Sequence, residues 1–200
     1  MAKIFERIDE HQREWIAARE MFFVATAPLA ADGRVNCSPK GPRGTFRVLD
    51  DHTVAYLDMV GSGAETVAHL RENGRIVVMF CAFDGPPRIL RLHGHGEVIP
   101  ADDPRFAELY ARADFDAPHE VEAARRAVIL IEVERIADAC GYGVPLLAYE
   151  GERVHAEKWA QKKLRVGGES AIADYMATKN TESIDGLPAY EVAEQVAPGS

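Results

Sequence analysis

The feature that most constrains this fold is the segment 53–74, in which a strand, a glycine-rich loop and a helix follow one another directly. Residues 54–60 are apolar and rich in β-branched and aromatic side chains, interrupted only by Asp58, which predicts a largely buried strand. The strand stops at residues 61–63, and the apolar spacing beyond them predicts a short helix that ends at the glycine cap Gly74. We therefore interpret the rest of the chain around this buried strand.

The start of the predicted helix is a candidate phosphate site. Ser62 and Glu65 have the Ser-x-x-Glu spacing of a capping box. A helix that begins after glycines, here Gly61 and Gly63, exposes backbone N–H groups and the positive end of its dipole, and both suit a phosphate. The alternative is that Ser62 only caps a structural helix. The local pattern taken alone favours that alternative.

Composition excludes several classes of protein. The 200 residues are 47% hydrophobic and carry a net charge of −9, which argues against a nucleic-acid or anionic-membrane surface. No apolar run is long enough to cross a bilayer and the N-terminus is too charged for a signal peptide, so we expect a cytoplasmic protein. Cys37, Cys81 and Cys140 are scattered and lack C-x-x-C spacing, so neither a disulfide framework nor a zinc site is expected.

Alternating apolar and polar residues, together with turn signals between them, predict an antiparallel β protein. Residues 4–19 have the apolar stripe of an amphipathic helix, and Pro39 confines its own strand to an edge, a bulge or an end. Short helices are predicted at 103–112 and 118–126. The predicted strands cover residues 21–27, 34–41, 45–50, 53–60, 75–83, 88–99 and 127–139. Six or seven antiparallel strands with short helical insertions favour a barrel.

The character of the chain changes after residue 140. We expect residues 1–140 to form the barrel domain with its N-terminal helix, and residues 141–200 to form a helical extension. The extension is polar, has few core residues and includes the segments 155–163, 168–180 and 183–190. A segment that cannot bury itself usually packs on a neighbour, so the extension is expected to pack on the barrel or on a dimer partner.

Two groups of polar residues are candidates for reactive sites. His93, His95 and Glu97 share one face of a predicted strand, but no further ligand motif accompanies them, and solvent-facing polar residues explain the same pattern, so no metal is predicted. Cys37 and Ser38 lack the glycine elbow of a nucleophile. No catalytic residue is therefore assigned.

Lys40 and Arg91 are candidate anion ligands. Each lies on a predicted strand that could border the loop 61–63. Cations beside a helix N-terminus would make a pocket for a dianion. The alternative is that each is a solvated surface charge.

The order of the segments FFVATA, DGRVNCSPKG, FRVLDDHTVAYLDMVGSGAET, HLRENGRIVVMF and RILRLHGHGEV resembles the pyridoxamine 5′-phosphate oxidase-like family of FMN-binding split β-barrels. The resemblance covers about residues 20–135. It implies a mainly β fold, an antiparallel six- to seven-stranded split barrel with an N-terminal helix and a helical tail. It also implies a homodimer with FMN at the subunit interface.

The resemblance assigns cofactor-binding positions. One strand would run along the flavin to its phosphate, a second segment would follow the ring system and then the phosphate, and Arg91 would lie near the cofactor. The implied residues are Ser38, Pro39, Lys40, Gly41, Met59, Val60, Gly61, Ser62, Gly63, Thr66 and Arg91. The loop after Met59 lacks the basic residues of the true oxidase, and the surroundings of Trp159 do not match its C-terminal pattern. We therefore expect a relative rather than the oxidase itself.

The resulting hypothesis is an FMN-dependent oxidoreductase whose small-molecule substrate, nicotinamide preference and acid or base are unassigned. A deazaflavin in place of FMN stays open. The first alternative is a flavin or haem binder without turnover, with His93 or His95 as the haem ligand. The second is an interaction module without a ligand, whose tail docks on a partner.

Overall fold

The computed structural model describes residues 3–116 and 120–190. The helices are α1 (Glu10–Ala17), α2 (Glu65–Asn73), α3 (Phe106–Ala113), α4 (His155–Gly167) and α5 (Ala171–Lys179), with a 3-10 turn at Glu122–Ala124. The strands are β1 (Lys3–Phe5), β2 (Phe22–Thr26), β3 (Asn36–Lys40), β4 (Phe46–Val48), β5 (Thr53–Met59), β6 (Arg75–Cys81), β7 (Ile89–Pro100) and β8 (Arg125–Ala139). Among the helices of these two ranges, none combines the length and apolar character needed to cross a bilayer.

One antiparallel sheet organises the fold, with the strand order β3-β2-β6-β7-β8-β5-β4 and β1 paired to β8. The sheet curls so that its two ends approach each other. The evidence is a ring contact: Phe22 on β2, the neighbour of the edge strand β3, lies 5.0 Å from Phe46 on the other edge strand, β4. Tyr56 and Phe80 pack in the same apolar core. The sheet is a curled, incompletely closed barrel, so the predicted fold class is confirmed. Pro39 lies on the edge strand β3, as its missing N–H requires.

The N-terminal helix is shorter than predicted. Asp9 caps α1 by accepting from the Gln12 backbone N–H at 2.8 Å, while the Gln12 side chain accepts from the Asp9 N–H at 3.1 Å. This capping box fixes the helix start, and residues 3–5 pair instead with β8. The prediction of one helix over residues 4–19 is therefore wrong over residues 4–9, which precede α1.

The predicted capping box at Ser62 is also wrong. The N-cap of α2 is Ala64, which makes no side-chain cap hydrogen bond, and Ser62 is exposed. The other end of α2 agrees with the prediction, since Gly74 forms the C-cap at a φ of 71°, a left-handed conformation that favours glycine. The helix start is thus left open to other partners.

The residues after 140 contain two helices and a turn. Ala160 of α4 and Ile172 of α5 are buried in one apolar cluster with Val60, next to the end of β5. The segment 183–190 was predicted to be helical, which is wrong: it folds back so that the Tyr190 N–H donates to the Asn180 carbonyl at 3.0 Å. Residues 118 and 119 of the predicted 118–126 helix, and residues 191–200, lie outside the described ranges.

Candidate functional site

A pocket of about 150 Å³ lies where the ends of β3 and β5 meet the start of α2. It contains the open helix start and two basic side chains. Its lining residues are Ser38, Lys40, Met59, Gly61, Gly63, Ala64, Glu65, Thr66, Val67 and Arg126. We call it the α2 pocket.

A buried charge cluster forms the floor of the α2 pocket. Asp58 is 3% exposed and its Oδ2 accepts from Arg126 Nε at 2.8 Å and Nη2 at 2.7 Å. Its Oδ1 accepts from Lys40 Nζ at 3.2 Å, and the Tyr190 hydroxyl lies 3.5 Å from Oδ2. Burial alone would raise the pKa of Asp58, but Arg126 and Lys40 outweigh it and lower the pKa. The cluster therefore contains one carboxylate and two cations.

Backbone groups complete the pocket. The first N–H groups of an α-helix have no partner inside the helix, and α2 has no side-chain cap to satisfy them. The loop before the helix is held in place from two sides. Arg126 Nη1 donates to the Gly63 carbonyl at 3.0 Å, and Asn180 Nδ2 donates to the Gly61 carbonyl at 2.9 Å. The open helix end is thus fixed facing Lys40 and Arg126.

A hydrogen-bond network orients the hydroxyls of the pocket. The Asn36 amide donates to Thr66 Oγ1 at 3.0 Å and to Thr26 Oγ1 at 3.2 Å, and Ser38 Oγ donates to Asn36 Oδ1 at 2.8 Å. The Ser38 proton is therefore used inside the network, whereas the Thr66 hydroxyl accepts and keeps its proton for a ligand. Thr26 also bonds Nδ1 of His69 at 2.9 Å. Burial of this fully buried imidazole lowers its pKa, so the network ends on a neutral histidine.

The structure brings together more than half of the residues that the resemblance implied. Those that line the α2 pocket are Ser38, Lys40, Met59, Gly61, Gly63 and Thr66. Val60 is buried beside it and donates its N–H to the Ala124 carbonyl at 2.9 Å. Ser62 is exposed and does not line the pocket, and Gly41 directly follows β3. Their predicted roles with a cofactor stay predictions.

Arg91 and Pro39 lie on the other face of the sheet. Arg91 pairs with Met79, Met79 pairs with Phe23 and Phe23 pairs with Pro39, and directly paired residues share a face. Ser38 and Lys40 alternate with Pro39 and therefore point to the barrel interior. Within one chain Arg91 thus does not reach the α2 pocket, and its cofactor role stays a prediction.

Arg126, Asn36 and Asn180 are among the members of the site that sequence reasoning missed. A signal existed for Arg126, because a carboxylate inside a buried strand requires a cation. Asp58 was visible as the single charge in its apolar run, and Arg126 directly precedes the predicted strand 127–139. The two asparagines gave no such signal, since the contacts that place them in the site, Asn36 with Thr66 and Asn180 with Gly61, join residues distant in sequence.

The histidines of β7 lie on the outer surface of the sheet. His95 Nδ1 lies 3.0 Å from Glu134 Oε1, and both side chains are more than half exposed. Burial lowers the pKa of His93, as do Arg135 and Arg91. Across residues 3–116 and 120–190, no group of three or more His, Cys, Asp or Glu side chains is arranged to hold a metal ion.

Comparison with known proteins assigns the chain to a family. The model of the pyridoxamine 5′-phosphate oxidase family matches residues 8–140. The pyridoxamine 5′-phosphate oxidase family protein ustO of Aspergillus flavus is 38% identical over 199 residues, which cover 94% of this chain and 78% of the fungal protein.

Two solved structures resemble the chain at low identity. The FAD-binding protein of Mycobacterium smegmatis has a TM-score of 0.44 and 12% identity, covering 68% of this chain and 97% of that one. A protein of Clostridium acetobutylicum related to general stress protein 26 has a TM-score of 0.47 and 15% identity, covering 65% and 86%. The family match and the fungal relative confirm the resemblance found in the sequence: the chain belongs to the pyridoxamine 5′-phosphate oxidase family.

Proposed function

We propose that this protein is an FMN-dependent oxidoreductase for a small-molecule substrate, in which the α2 pocket binds the FMN phosphate. The observation that carries the proposal is the uncapped start of α2, which faces Lys40 and Arg126 across the pocket. Family membership supports the same cofactor, since related split barrels typically bind FMN. FMN would supply the redox chemistry, and the protein would supply binding and orientation.

The pocket offers a phosphate monoester several donors but no excess of side-chain charge. Lys40 and Arg126 carry two positive charges, and Asp58 and Glu65 carry two negative charges, so the formal charges cancel before the helix dipole is counted. A phosphate monoester carries about −1.5 to −2 charges at neutral pH. The open N–H groups of α2 and the free proton of Thr66 add neutral donors. Glu65 opposes the anion, because its side chain also lines the pocket.

The size of the pocket supports a shared site. Its volume of about 150 Å³ accommodates a phosphate, whereas pockets that enclose a whole ligand measure roughly 300–1,000 Å³. The isoalloxazine ring would therefore lie outside the pocket and need a second surface. We propose that a second copy of the chain supplies that surface, in a homodimer with the flavin at the interface.

The first test is the visible spectrum of the purified full chain. The proposal expects the bands of oxidised flavin, or their appearance after FMN is added. A Soret band would instead support the haem alternative, and a colourless protein that binds no FMN would contradict a flavin function. Sizing of the flavin-loaded protein is expected to give a dimer. A monomer that keeps its FMN would contradict the shared site.

The second test separates the phosphate from the ring. A charge-assisted contact contributes about 1.5–3 kcal/mol, so Lys40→Ala should weaken FMN binding roughly 10- to 150-fold. Riboflavin lacks the phosphate and should bind the variant and the wild type equally. Lys158→Ala is the matched control, because Lys158 is an exposed lysine of α4 outside the pocket. Equal losses for FMN and riboflavin, measured by flavin fluorescence, would remove the phosphate role of Lys40.

A further inference from the structure

A second cavity is separate from the α2 pocket. It measures about 710 Å³ and lies between α4 and α5. Its lining residues are Trp159, Lys162, Lys163, Val166, Gly167, Ala171, Asp174, Tyr175, Thr178 and Lys179. We call it the α4–α5 cavity. Its volume falls within the range of about 300–1,000 Å³ that is typical of small-molecule sites.

Aromatic rings form one wall of the α4–α5 cavity. The ring centroids of Trp159 and Tyr175 are 4.9 Å apart, with an angle of 71° between the planes. The Lys163 ammonium lies 5.8 Å from the Trp159 centroid and 5.2 Å from that of Tyr175. This wall therefore combines apolar area with a positive charge at its surface.

The charges of the cavity are mostly positive and unneutralised. Lys162, Lys163 and Lys179 line it together with one carboxylate, that of Asp174. Within the described chain, none of the three lysines has a carboxylate at ion-pair distance. Asp174 instead accepts from Ser170 Oγ at 3.0 Å. A surplus of two positive charges in one cavity contrasts with the net charge of −9 of the whole chain.

We propose that the α4–α5 cavity binds a planar aromatic anion, such as an aromatic carboxylate or sulfonate. The rings of Trp159 and Tyr175 would contact the plane of the ligand, and the lysines would bind its charge. A neutral aromatic compound would leave the lysines without a partner, and a small inorganic anion would leave the rings uncovered. The site goes beyond the proposed flavin function because none of its lining residues belongs to the α2 pocket.

The α4–α5 cavity is nevertheless connected to the α2 pocket through packed side chains. Trp159 and Tyr175 pack against the apolar cluster that contains Val60 and also contacts Met59. Met59 lines the α2 pocket. A ligand between α4 and α5 would therefore lie against the residues that support the proposed flavin pocket.

The test uses the purified full chain, naphthalene-1-sulfonate and its neutral analogue 1-naphthalenemethanol, with binding measured by isothermal titration calorimetry. The sulfonate is expected to bind at one site per chain, at least about tenfold more tightly than the alcohol. Lys163→Gln should weaken the sulfonate about tenfold and leave the alcohol unchanged. Lys158→Gln removes an exposed charge of the same helix outside the cavity and should change neither.

Three outcomes would overturn the proposal. Equal affinity for the sulfonate and the alcohol would mean that the charges do not contribute. Equal losses of sulfonate affinity in Lys163→Gln and Lys158→Gln would mean that sulfonate binding depends only on the overall charge of the protein. Loss of sulfonate binding in Lys40→Ala would place the sulfonate in the α2 pocket. None of these binding measurements requires flavin. A protein that does not bind FMN can therefore still show the expected sulfonate binding, so the two proposals can fail separately.

Discussion

The buried cluster around Asp58 yields a sharp prediction for Arg126→Met. The side chain of Arg126 is 4% exposed and makes two of the contacts that neutralise the carboxylate. Removing one partner of a buried ion pair leaves an uncompensated charge, which typically costs about 3–5 kcal/mol. Lys40 would still contact Asp58 from 3.2 Å, so we expect the lower end of that range. Urea denaturation of the wild type and the variant at neutral pH measures the loss in free energy of unfolding, provided that both proteins have the same m value, the slope of that free energy against urea concentration.

The pH dependence of the same variant distinguishes a charge effect from a packing effect. In the wild type the pKa of Asp58 is lowered, so its stabilising contribution is complete above the unfolded value of about 3.9 and is lost as the pH falls through the folded pKa. In Arg126→Met, burial would outweigh Lys40 and raise the pKa of Asp58 above its unfolded value. The folded variant would then bind the proton more readily, so its stability should rise relative to wild type as the pH falls from 7 to 5.

The matched control is the double variant Asp58→Asn/Arg126→Met. Asparagine keeps the shape of the side chain and removes the charge, so the double variant should recover about 1–3 kcal/mol of the loss. It should also lack the pH-dependent gain of the single variant. If both variants lost the same stability, with pH profiles parallel to wild type, the cost would arise from packing and the electrostatic account of Asp58 would be wrong.

Three further predictions concern stability. Gly94→Ala would place a Cβ 1.9 Å from the Glu132 carbonyl oxygen, so it should cost about 1–3 kcal/mol in urea denaturation, whereas Gly143→Ala meets no atom within 4 Å and serves as the control. Burial lowers the pKa of His69, so the unfolded chain takes up the proton at a higher pH than the folded chain does. The free energy of unfolding should therefore decrease as the pH falls below about 6.5, and this decrease should be absent in His69→Gln. Ser62→Ala should change the free energy of unfolding by less than about 0.5 kcal/mol, since α2 has no side-chain cap. A larger loss would mean that Ser62 does cap the helix, as the sequence predicted.

The strands could be predicted because their signal is local. Apolar alternation and turn residues are readable within single segments, and the antiparallel barrel follows from their number. The errors occur where a distant contact decides the local structure. The apolar spacing of Phe5 and Ile8 fits a helix, but residues 3–5 pair with β8, more than a hundred residues away. Likewise Ala189 and Tyr190 belong to the main apolar core, which the polar sequence around them does not reveal.

The site could be predicted only where it lies on contiguous motifs. Residues 38–41 and 59–63 resemble family segments, and most of them reach the α2 pocket. Arg126 is distant from these segments in sequence but close in the sheet, because β8 pairs with β5 and the pairing of Met59 with Arg125 brings it beside the end of β5. No spacing rule relates positions 58 and 126. The buried carboxylate indicated that a cation was needed, and only the sheet register identifies which one.

The two cations of the α2 pocket differ in how much freedom they keep. Arg126 uses Nε and Nη2 on Asp58 and Nη1 on the Gly63 carbonyl, so its guanidinium is fixed to the protein. Lys40 has a side chain that is 21% exposed and uses one of its three donors, on Asp58. The ammonium can therefore turn toward a bound phosphate while Arg126 and Tyr190 still cover the carboxylate. Binding of the phosphate would then depend on Lys40 and the start of α2, because Arg126 keeps the buried charge neutral whether or not a ligand is bound.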